Sequence, residues 1–379
     1  MAGLGVSSQG MPPVTSLSEL KSLRAFYAGR RVLVTGHTGF KGSWLTAWLA
    51  RLRGEVAGLA LAPDQGPDSL FDCAGVAMRC RSHIVDIRDA TAVAEVFRAT
   101  QPEIVFHLAA RALVQHGYDD PLATIATNVQ GTAHVLEAAR TSPSVTTIVC
   151  VTTDKVYRNR EWPWLYRETD ELGGRDVYSA SKAAAELIAR TYREAMKPAD
   201  RPFALVTARG GNVLGGGDWS QHRIVPDIVR ALRSREPLRL RSPGAVRPWQ
   251  HVLDLCYGYL LLGRLLADGE RDLEALNFGP PAGEELSVEQ LVRAFLAAWG
   301  CPKHPVEHVH SQQYEAITLR LDSALAMQRL GWRPRLGSTE TVTWASRWYR
   351  AYVDAPVRAA ALVEGDLDAY EALLGGKPE

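Results

Sequence analysis

The sequence predicts an α/β fold, a doubly wound parallel sheet with a smaller C-terminal α/β lobe. Two observations predict it. Short apolar runs rich in β-branched residues alternate with helix-like segments from residue 31 to about residue 208, as in sheets whose crossovers are helices. A glycine-dense segment at 210–219 then ends the alternation, and 379 residues exceed what one small core needs. A second, smaller unit is therefore expected.

The first strand, turn and helix predict a dinucleotide site. Residues 31–35 read RVLVT, typical of a buried parallel strand, and a helical stripe of apolar residues follows the turn. Between them stand Gly36, Gly39 and Gly42, at the spacing G-x-x-G-x-x-G. Such glycines allow a tight turn, close approach of a pyrophosphate and close packing of a helix whose N-terminus attracts phosphate. A purely structural glycine turn has the same letters, so the prediction depends on the strand–turn–helix context.

The end of the second strand bears on the type of cofactor. The strand predicted over 55–61 ends in the apolar sequence LALA, residues 59–62. This end lacks the acidic residue that often binds the ribose of NAD, and Asp64 follows only after a proline. No arginine stands there to take the additional phosphate of NADP. NAD is therefore the predicted cofactor.

Further strands are predicted to end at Asp86 and Ile87 and to span 103–110 and 146–152, with helices over 89–99, 121–140 and 178–196. Ligands of a parallel sheet lie beyond the carboxyl ends of its strands. The predicted cofactor-binding residues are Gly36, Thr38, Gly39, Phe40, Lys41, Gly42, Asp86, Ile87, Leu108, Ala109, Ala110, Tyr178 and Lys182.

Two short patterns predict the reactive groups. Tyr178 and Lys182 are one helical turn apart, and an ammonium together with a cationic nicotinamide lowers a tyrosine pKa from about 10 towards working pH. The tyrosinate can then take a proton from a sugar hydroxyl. Thr153, Asp154 and Lys155 follow a strand and add an adjacent acid and base. Each pattern also has a purely structural alternative. Tyr178 could be a packed tyrosine above a solvated Lys182, and Asp154 could be an N-capping residue beside a surface lysine, Lys155.

Longer motifs carry a family resemblance. The segments VTGHTGFKGSWL, TTDKVY, RETDELGGRDVYSASK, GGNVLGGGDW, RPWQHVLD and LNFGP resemble extended short-chain dehydrogenase/reductases, within the nucleotide-sugar 4,6-dehydratase group and its CDP-glucose branch, over about 26–352. The resemblance implies a Rossmann-type cofactor domain, bound NAD and a lyase acting on CDP-glucose. It also implies that helices 121–140 and 178–196 pair in a homodimer.

The resemblance implies roles for single residues. Thr153 would hydrogen-bond the C4 oxygen, Asp154 would act as general acid, Lys155 would be the C5 base, and Tyr178 would be the C4 base. Substrate-binding candidates are Asn212 in the glycine-dense loop, Arg247 as a pyrophosphate clamp and Arg223 more weakly, since a surface ion pair explains Arg223 as well.

Two other functions remain open: a dehydratase or 4-epimerase for another nucleotide-sugar, and a catalytically idle NAD(H)-binding sensor. The acid–base pair disfavours an epimerase, and the complete set of reactive residues disfavours the sensor. A net charge of +1 and the lack of an 18-residue apolar run argue against nucleic-acid and membrane partners. Five scattered cysteines argue against a metal site and favour the cytoplasm.

The expected organisation has four parts. Residues 1–25, which lack the pattern of a signal peptide, are expected to be a disordered lead-in. Residues 26–208 and about 250–278 are expected to form the NAD-binding domain, and 211–249 with 280–350 the substrate lobe. Residues 351–379 are expected to be a helical tail, to which no role is assigned.

Overall fold

A computed structural model describes residues 19–63, 68–281, 283–309 and 318–375. Asp64, the acidic residue that follows the second predicted strand after a proline, lies outside them. Within these ranges the strands are β1 (Arg31–Thr35), β2 (Glu55–Ala60), β3 (Arg81–Ile84), β4 (Ile104–His107), β5 (Thr147–Val151), β6 (Ala204–Gly210), β7 (Val213–Leu214), β8 (Leu238–Leu240), β9 (Val246–Arg247), β10 (Gln250–His251), β11 (Ala275–Phe278), β12 (Leu286–Ser287) and β13 (Val306–His308).

The helices of the same ranges flank the sheet and fill the lobe. They are α1 (Glu19–Tyr27), α2 (Phe40–Arg51), α3 (Leu70–Cys73), α4 (Ala90–Thr100), α5 (Val114–Asp119), α6 (Pro121–Ile125), α7 (Thr132–Thr141), α8 (Val177–Glu194), α9 (Ile224–Ser234), α10 (Val252–Ala267), α11 (Val288–Trp299), α12 (Ala324–Leu330), α13 (Ser338–Asp354) and α14 (Ala359–Leu373). A π-helical stretch, Ala126–Gly131, joins α6 to α7.

The central sheet has seven parallel strands in the order β11-β6-β5-β4-β1-β2-β3. The predicted doubly wound parallel fold is therefore confirmed. The strand order reverses between β1 and β4, so a crevice opens there beyond the carboxyl ends of both strands, where nucleotides bind in such folds. The glycine turn after β1 stands at that crevice.

The helix α1 corrects part of the expected lead-in. Residues 19–25, predicted to be disordered, belong to α1, whose Leu20 and Leu23 are buried. The hydroxyl of Tyr27 donates to the carbonyl of Leu260 in α10 at 2.7 Å. The segment is ordered because its apolar side packs on a distant helix, which local composition does not reveal. Residues 1–18 lie outside the described ranges.

The C-terminal helix α14 packs on the outer side of α2. Arg51 of α2 forms ion pairs with Glu364, Asp368 and Glu371 of α14. The indole of Trp48 also donates to Glu371 at 3.0 Å. The tail therefore supports the helix that follows the glycine turn.

The smaller lobe lies over the carboxyl edge of the sheet. It contains the two-stranded pairs β8 with β13 and β9 with β12, and α11 packs against α13 within it. No helix in the described ranges is both long and apolar enough to cross a membrane. The described residues also contain no group of three or more side chains arranged to hold a metal ion.

Candidate functional site

A cavity of about 380 Å³ lies between the sheet and the lobe. Its walls come from the ends of β5 and β6, the start of α8, the glycine-dense loop and α9. It has the size and position of a small-ligand site. The predicted site residues that line it are Lys41, Thr153, Lys155, Tyr178, Asn212, Arg223 and Arg247.

The glycine turn forms a cradle that a side chain would fill. Gly36 has a φ of +76°, and a Cβ on it would lie 2.8 Å from the backbone nitrogen of Ala109. A Cβ on Gly42 would lie 2.0 Å from the carbonyl oxygen of Gly36. No side chain caps the N-terminus of α2, whose N-cap is Gly39. An open helix N-terminus beside bare backbone fits a pyrophosphate, so the residues present fit a dinucleotide.

The other cofactor candidates lie around this cradle with different roles. Thr38 donates from its hydroxyl to the carbonyl of Leu61 at 2.9 Å, which ties the turn to the end of β2. Phe40 is buried and forms part of the core. Leu108 and Ala109 follow β4, and their backbone N–H groups each donate to the hydroxyl of Thr35 at 3.2 Å. Ala110 follows directly in the chain, at the same crevice.

Asp86 and Ile87 do not line the cavity. Arg88 donates from Nε to Asp86 at 2.9 Å, and these hydrogen bonds hold the pKa of the Asp86 carboxyl below its usual value. Ile87 is buried and lies against Gly131. Binding of the cofactor by Asp86 stays a prediction, and the contact would compete with Arg88.

Tyr178 and Lys182 are brought to the end of β5 by α8. Asp176 caps this helix by accepting from the backbone N–H of Ser179 at 2.9 Å, which fixes where the first turn begins. Lys182 is buried and donates from Nζ to the carbonyl of Val151 at 2.9 Å. The helix thus holds the phenol at the cavity wall and the ammonium behind it.

The electrostatics of Tyr178 differ from the sequence prediction. Burial raises the pKa of its phenol to about 12, and the carboxylate of Asp154 acts in the same direction. A hydrogen bond with Thr153 and the charge of Arg223 oppose the rise in that pKa. The expected lowering of the pKa by Lys182 is therefore not a property of the chain by itself, because desolvation outweighs the nearby cations.

Thr153, Asp154 and Lys155 form one compact unit at the start of the turn after β5. Asp154 Oδ1 accepts from the hydroxyl of Thr153 at 2.9 Å and from Lys155 Nζ at 3.3 Å. Asp154 is fully buried behind the other two, which line the cavity. Its Oδ2 has no hydrogen-bond partner among the described residues. This unit can move protons at the cavity wall.

Several cations surround the cavity. Lys41 lies near Arg223 and Lys182, and burial lowers the pKa of its amine to about 8, an effect that the two neighbouring charges strengthen. Arg223 donates from NH1 to Asp218 at 2.7 Å. The predicted ion pair of Arg223 exists, but its partner is a buried aspartate at the cavity and not a surface acid.

Asn212 and Arg247 complete the predicted substrate residues. The side-chain oxygen of Asn212 is buried without a hydrogen-bond partner among the described residues, in a wall of the cavity. Arg247, in β9, is buried and donates from NH1 to the carbonyl of Val246 at 3.0 Å. Both line the same space as the reactive residues, at the side formed by the lobe.

Sequence reasoning missed other lining residues. His222, Arg239 and Arg241 line the cavity from the lobe, and Tyr349 reaches it from α13. No motif marks them, because their place depends on how the lobe folds over the sheet. One sequence feature could have indicated a binding role: Arg239 and Arg241 stand on either side of a single apolar residue.

Comparisons with known proteins agree on one family. Residues 33–344 match the GDP-mannose 4,6 dehydratase family. The CDP-glucose 4,6-dehydratase of Salmonella typhimurium is 41% identical over 333 residues, which cover 86% of this chain and 92% of that one.

Solved structures have the same fold. The dTDP-glucose 4,6-dehydratase of Streptomyces venezuelae, solved with NAD and TYD bound, superposes with a TM-score of 0.74 at 27% identity, over 86% of this chain and 99% of that one. The UDP-glucose 4-epimerase of Thermotoga maritima, solved with UDP-glucose, gives a TM-score of 0.73 at 22% identity over 85% and 99%. Since dehydratases and epimerases share this fold, the fold alone does not separate them. The predicted membership of the nucleotide-sugar 4,6-dehydratase group is confirmed by the match over most of the sequence, and the chain belongs to the GDP-mannose 4,6 dehydratase family of extended short-chain dehydrogenase/reductases.

Proposed function

We propose that the protein is a lyase that dehydrates CDP-glucose to CDP-4-keto-6-deoxyglucose. The family and the 41% identity to a CDP-glucose 4,6-dehydratase support this. The observation that carries the proposal is the Asp154–Lys155 pair, with 3.3 Å between Nζ and Oδ1, beside Tyr178 at one cavity wall. Dehydration needs an acid and a base in addition to the group that assists oxidation. Lys155 and Tyr178 line this wall, and Asp154 lies directly behind them.

NAD is the cofactor of this proposal. The residues that would hold it are Gly36, Gly39 and the N-terminus of α2, with Ala109 on the facing strand end. When bound, NAD would supply reversible oxidation of the sugar, with hydrogen removed at C4 and returned at C6. Its positive nicotinamide ring would also act against the burial that raises the Tyr178 pKa.

The first task of the protein side chains is to remove the proton of the C4 hydroxyl. Tyr178 is placed for this, and Thr153, which hydrogen-bonds it, would orient the C4 oxygen. The carbonyl formed at C4 makes the hydrogen on C5 acidic. Lys155 would remove that proton, since its Nζ is at the cavity wall and is partly shielded from water.

Asp154 would then protonate the C6 hydroxyl as it leaves. Oδ1 already accepts two hydrogen bonds, whereas Oδ2 has no partner among the described residues and is the oxygen able to carry the proton. Lys155 would keep the C5 proton and return it to C5 when hydrogen is delivered to C6. The proton that Tyr178 took from the C4 hydroxyl then balances the one that leaves with water, so the acid and the base are both restored at the end of the cycle.

One incubation tests the function. Purified protein with CDP-glucose and NAD is expected to form a 4-keto-6-deoxy sugar, read by its absorbance in alkali. UDP-glucose, dTDP-glucose and GDP-mannose serve as comparison substrates. Formation of a C4 epimer without a keto product would assign an epimerase, and bound NAD with no reaction on any of the four would favour a sensor.

A homodimer in the cytoplasm is part of the same proposal. Leu122 of α6 and Leu187 of α8 are 77% and 54% exposed, and the two helices pack side by side. Apolar side chains on adjacent helices favour pairing with a second copy. All five cysteines are free thiols, which fits a reducing compartment.

Light scattering at micromolar concentration is expected to give twice the mass of the chain. Leu122→Asp with Leu187→Asp should give a monomer. Met78→Asp, at a site that is 90% exposed and away from these helices, should not change the mass. A monomeric parent would contradict the proposal.

A further inference from the structure

A buried ion pair between Glu186 and Arg209 lies behind the reactive residues and takes no part in the steps above. Each residue is 4% exposed. Arg209 donates from Nε and NH2 to the two carboxylate oxygens of Glu186, at 3.0 and 2.9 Å. Taking both charges out of water is costly, and an apolar pair of similar volume is often as stable. Stability alone therefore does not account for this pair.

Glu186 connects α8 to the ends of two neighbouring strands. It accepts from the hydroxyl of Thr152, just after β5, at 2.5 Å and from the hydroxyl of Thr207 in β6 at 2.7 Å. Thr152 directly precedes Thr153 in the chain. The carboxylate of Glu186 thus fixes the residue directly before Thr153, Asp154 and Lys155, which together are called the acid–base segment.

The spacing along α8 extends this connection. Tyr178, Lys182 and Glu186 are four residues apart, so they lie on three successive turns of one side of the helix. Lys182 bonds to the carbonyl of Val151 at 2.9 Å, and Glu186 bonds to the next residue, Thr152. Tyr178 hydrogen-bonds the residue after that. Three turns of the helix therefore hold three consecutive residues of the chain in place.

Arg209 holds the other end of the same segment. It donates from NH1 to the hydroxyl of Tyr157 at 2.9 Å and to the carbonyl of Glu168 at 2.9 Å. Tyr157 follows the short 3₁₀ turn Asp154–Val156 and donates to Asn277 at 2.7 Å. The ion pair therefore joins Thr152, the residue before the acid–base segment, to Tyr157, the residue that ends the 3₁₀ turn.

We propose that Glu186 and Arg209 are a positioning pair, which fixes the position of the 153–155 segment relative to α8. Tyr178 and the acid–base pair then face one sugar from fixed positions. This role rests on the proposed dehydratase function. A shift of about 1 Å between such groups is enough to lower turnover about 10²-fold without loss of binding.

The double variant Glu186→Leu with Arg209→Met tests the role, since it replaces the buried charges by apolar groups of similar size. It is expected to unfold near the temperature of the parent. Its KM for CDP-glucose should stay within about twofold and its kcat should fall about 10²-fold. Glu270→Gln is the control: the side chain of this carboxylate is 15% exposed and paired with Arg329, neither residue lines the cavity, and its kcat should not change.

A folded double variant with the kcat of the parent would overturn the role. If the double variant does not fold, Glu186→Gln takes its place, because it keeps the size of the side chain. Its kcat is again expected to fall while its KM for CDP-glucose stays nearly unchanged. A crystal structure of the variant gives a readout that does not depend on activity. If the contact between Lys182 and Val151 and the 153–155 segment are unmoved, the positioning role fails. If the parent turns over no nucleotide-sugar, the proposed function fails instead.

Discussion

Substituting methionine for Lys155 removes the amine proposed to take the C5 proton and keeps much of the side-chain volume. Lys155 is 31% exposed, and its Nζ lies 3.3 Å from the fully buried Asp154 carboxylate. The substitution leaves Asp154 itself unchanged, so the base of the mechanism is lost while the residue that serves as the acid stays in place.

The expected fall in product formation is about 10²-fold or more, or about 2.7 kcal/mol of transition-state stabilisation. Oxidation at C4 depends on Tyr178, so mixing the variant with CDP-glucose and NAD should still build up reduced nicotinamide, read by its absorbance near 340 nm. Solvent deuterium should no longer enter C5. This separates loss of the base from loss of binding, which would abolish the absorbance as well.

Asp154→Asn is the matched comparison. The amide cannot donate a proton as an acid, so product formation should fall by a similar factor while exchange at C5 persists better than in the lysine variant. If Lys155→Met exchanges C5 hydrogen at the parent rate, Lys155 is not the C5 base, and the reasoning from this contact is refuted.

Three further predictions concern the phenol, the cradle and a buried carboxyl. Tyr178→Phe should lower turnover by about 10² or more with NAD binding nearly intact, and near-parent activity would remove Tyr178 from the mechanism. Gly36→Ala should weaken NAD binding about tenfold or more in a fluorescence titration, whereas Gly29→Ala, with a similar φ of +72° and nothing within 4 Å, should not; equal loss in both would show backbone strain to be the cause. Burial raises the pKa of Asp254 from 3.8 to about 6, so the folded state prefers the neutral acid and the chain loses stability as pH rises from about 4 to just above 6, by up to about 3 kcal/mol. Asp254→Asn should therefore unfold at a higher temperature relative to the parent at pH 8 than at pH 5, and an equal difference at both pH values would contradict the shift.

The local patterns of the sequence were sufficient for the sheet and the cradle. The strand predicted at 31–35 is β1, and the helix predicted over 178–196 is α8, Val177–Glu194. Both follow from short-range rules of spacing and glycine conformation. The same rules placed Tyr178 and Lys155 near each other, because parallel strands end at one edge.

Contacts between distant segments could not be predicted in this way. Glu186 and Arg209 are adjacent only in the fold, and neither stands out in the sequence. The apolar side of α1 is buried because it packs against α10, and the acidic residues of α14 are paired because Arg51 lies beside them. Neither neighbour is close in the sequence. The pKa of Tyr178 depends mainly on how deeply the phenol is buried. The four-residue spacing between Tyr178 and Lys182 does not predict that burial.

Transfer of hydrogen within one sugar tests the central claim most directly. CDP-glucose carrying deuterium at C4 is incubated with the protein and NAD, and the product is analysed by mass spectrometry and NMR. A 4,6-dehydratase takes the label from C4 and returns it at C6, so the predicted product is a 4-keto-6-deoxy sugar with deuterium in its methyl group. A C4 epimer that keeps the label at C4, or unchanged substrate with the cofactor bound, would contradict the account.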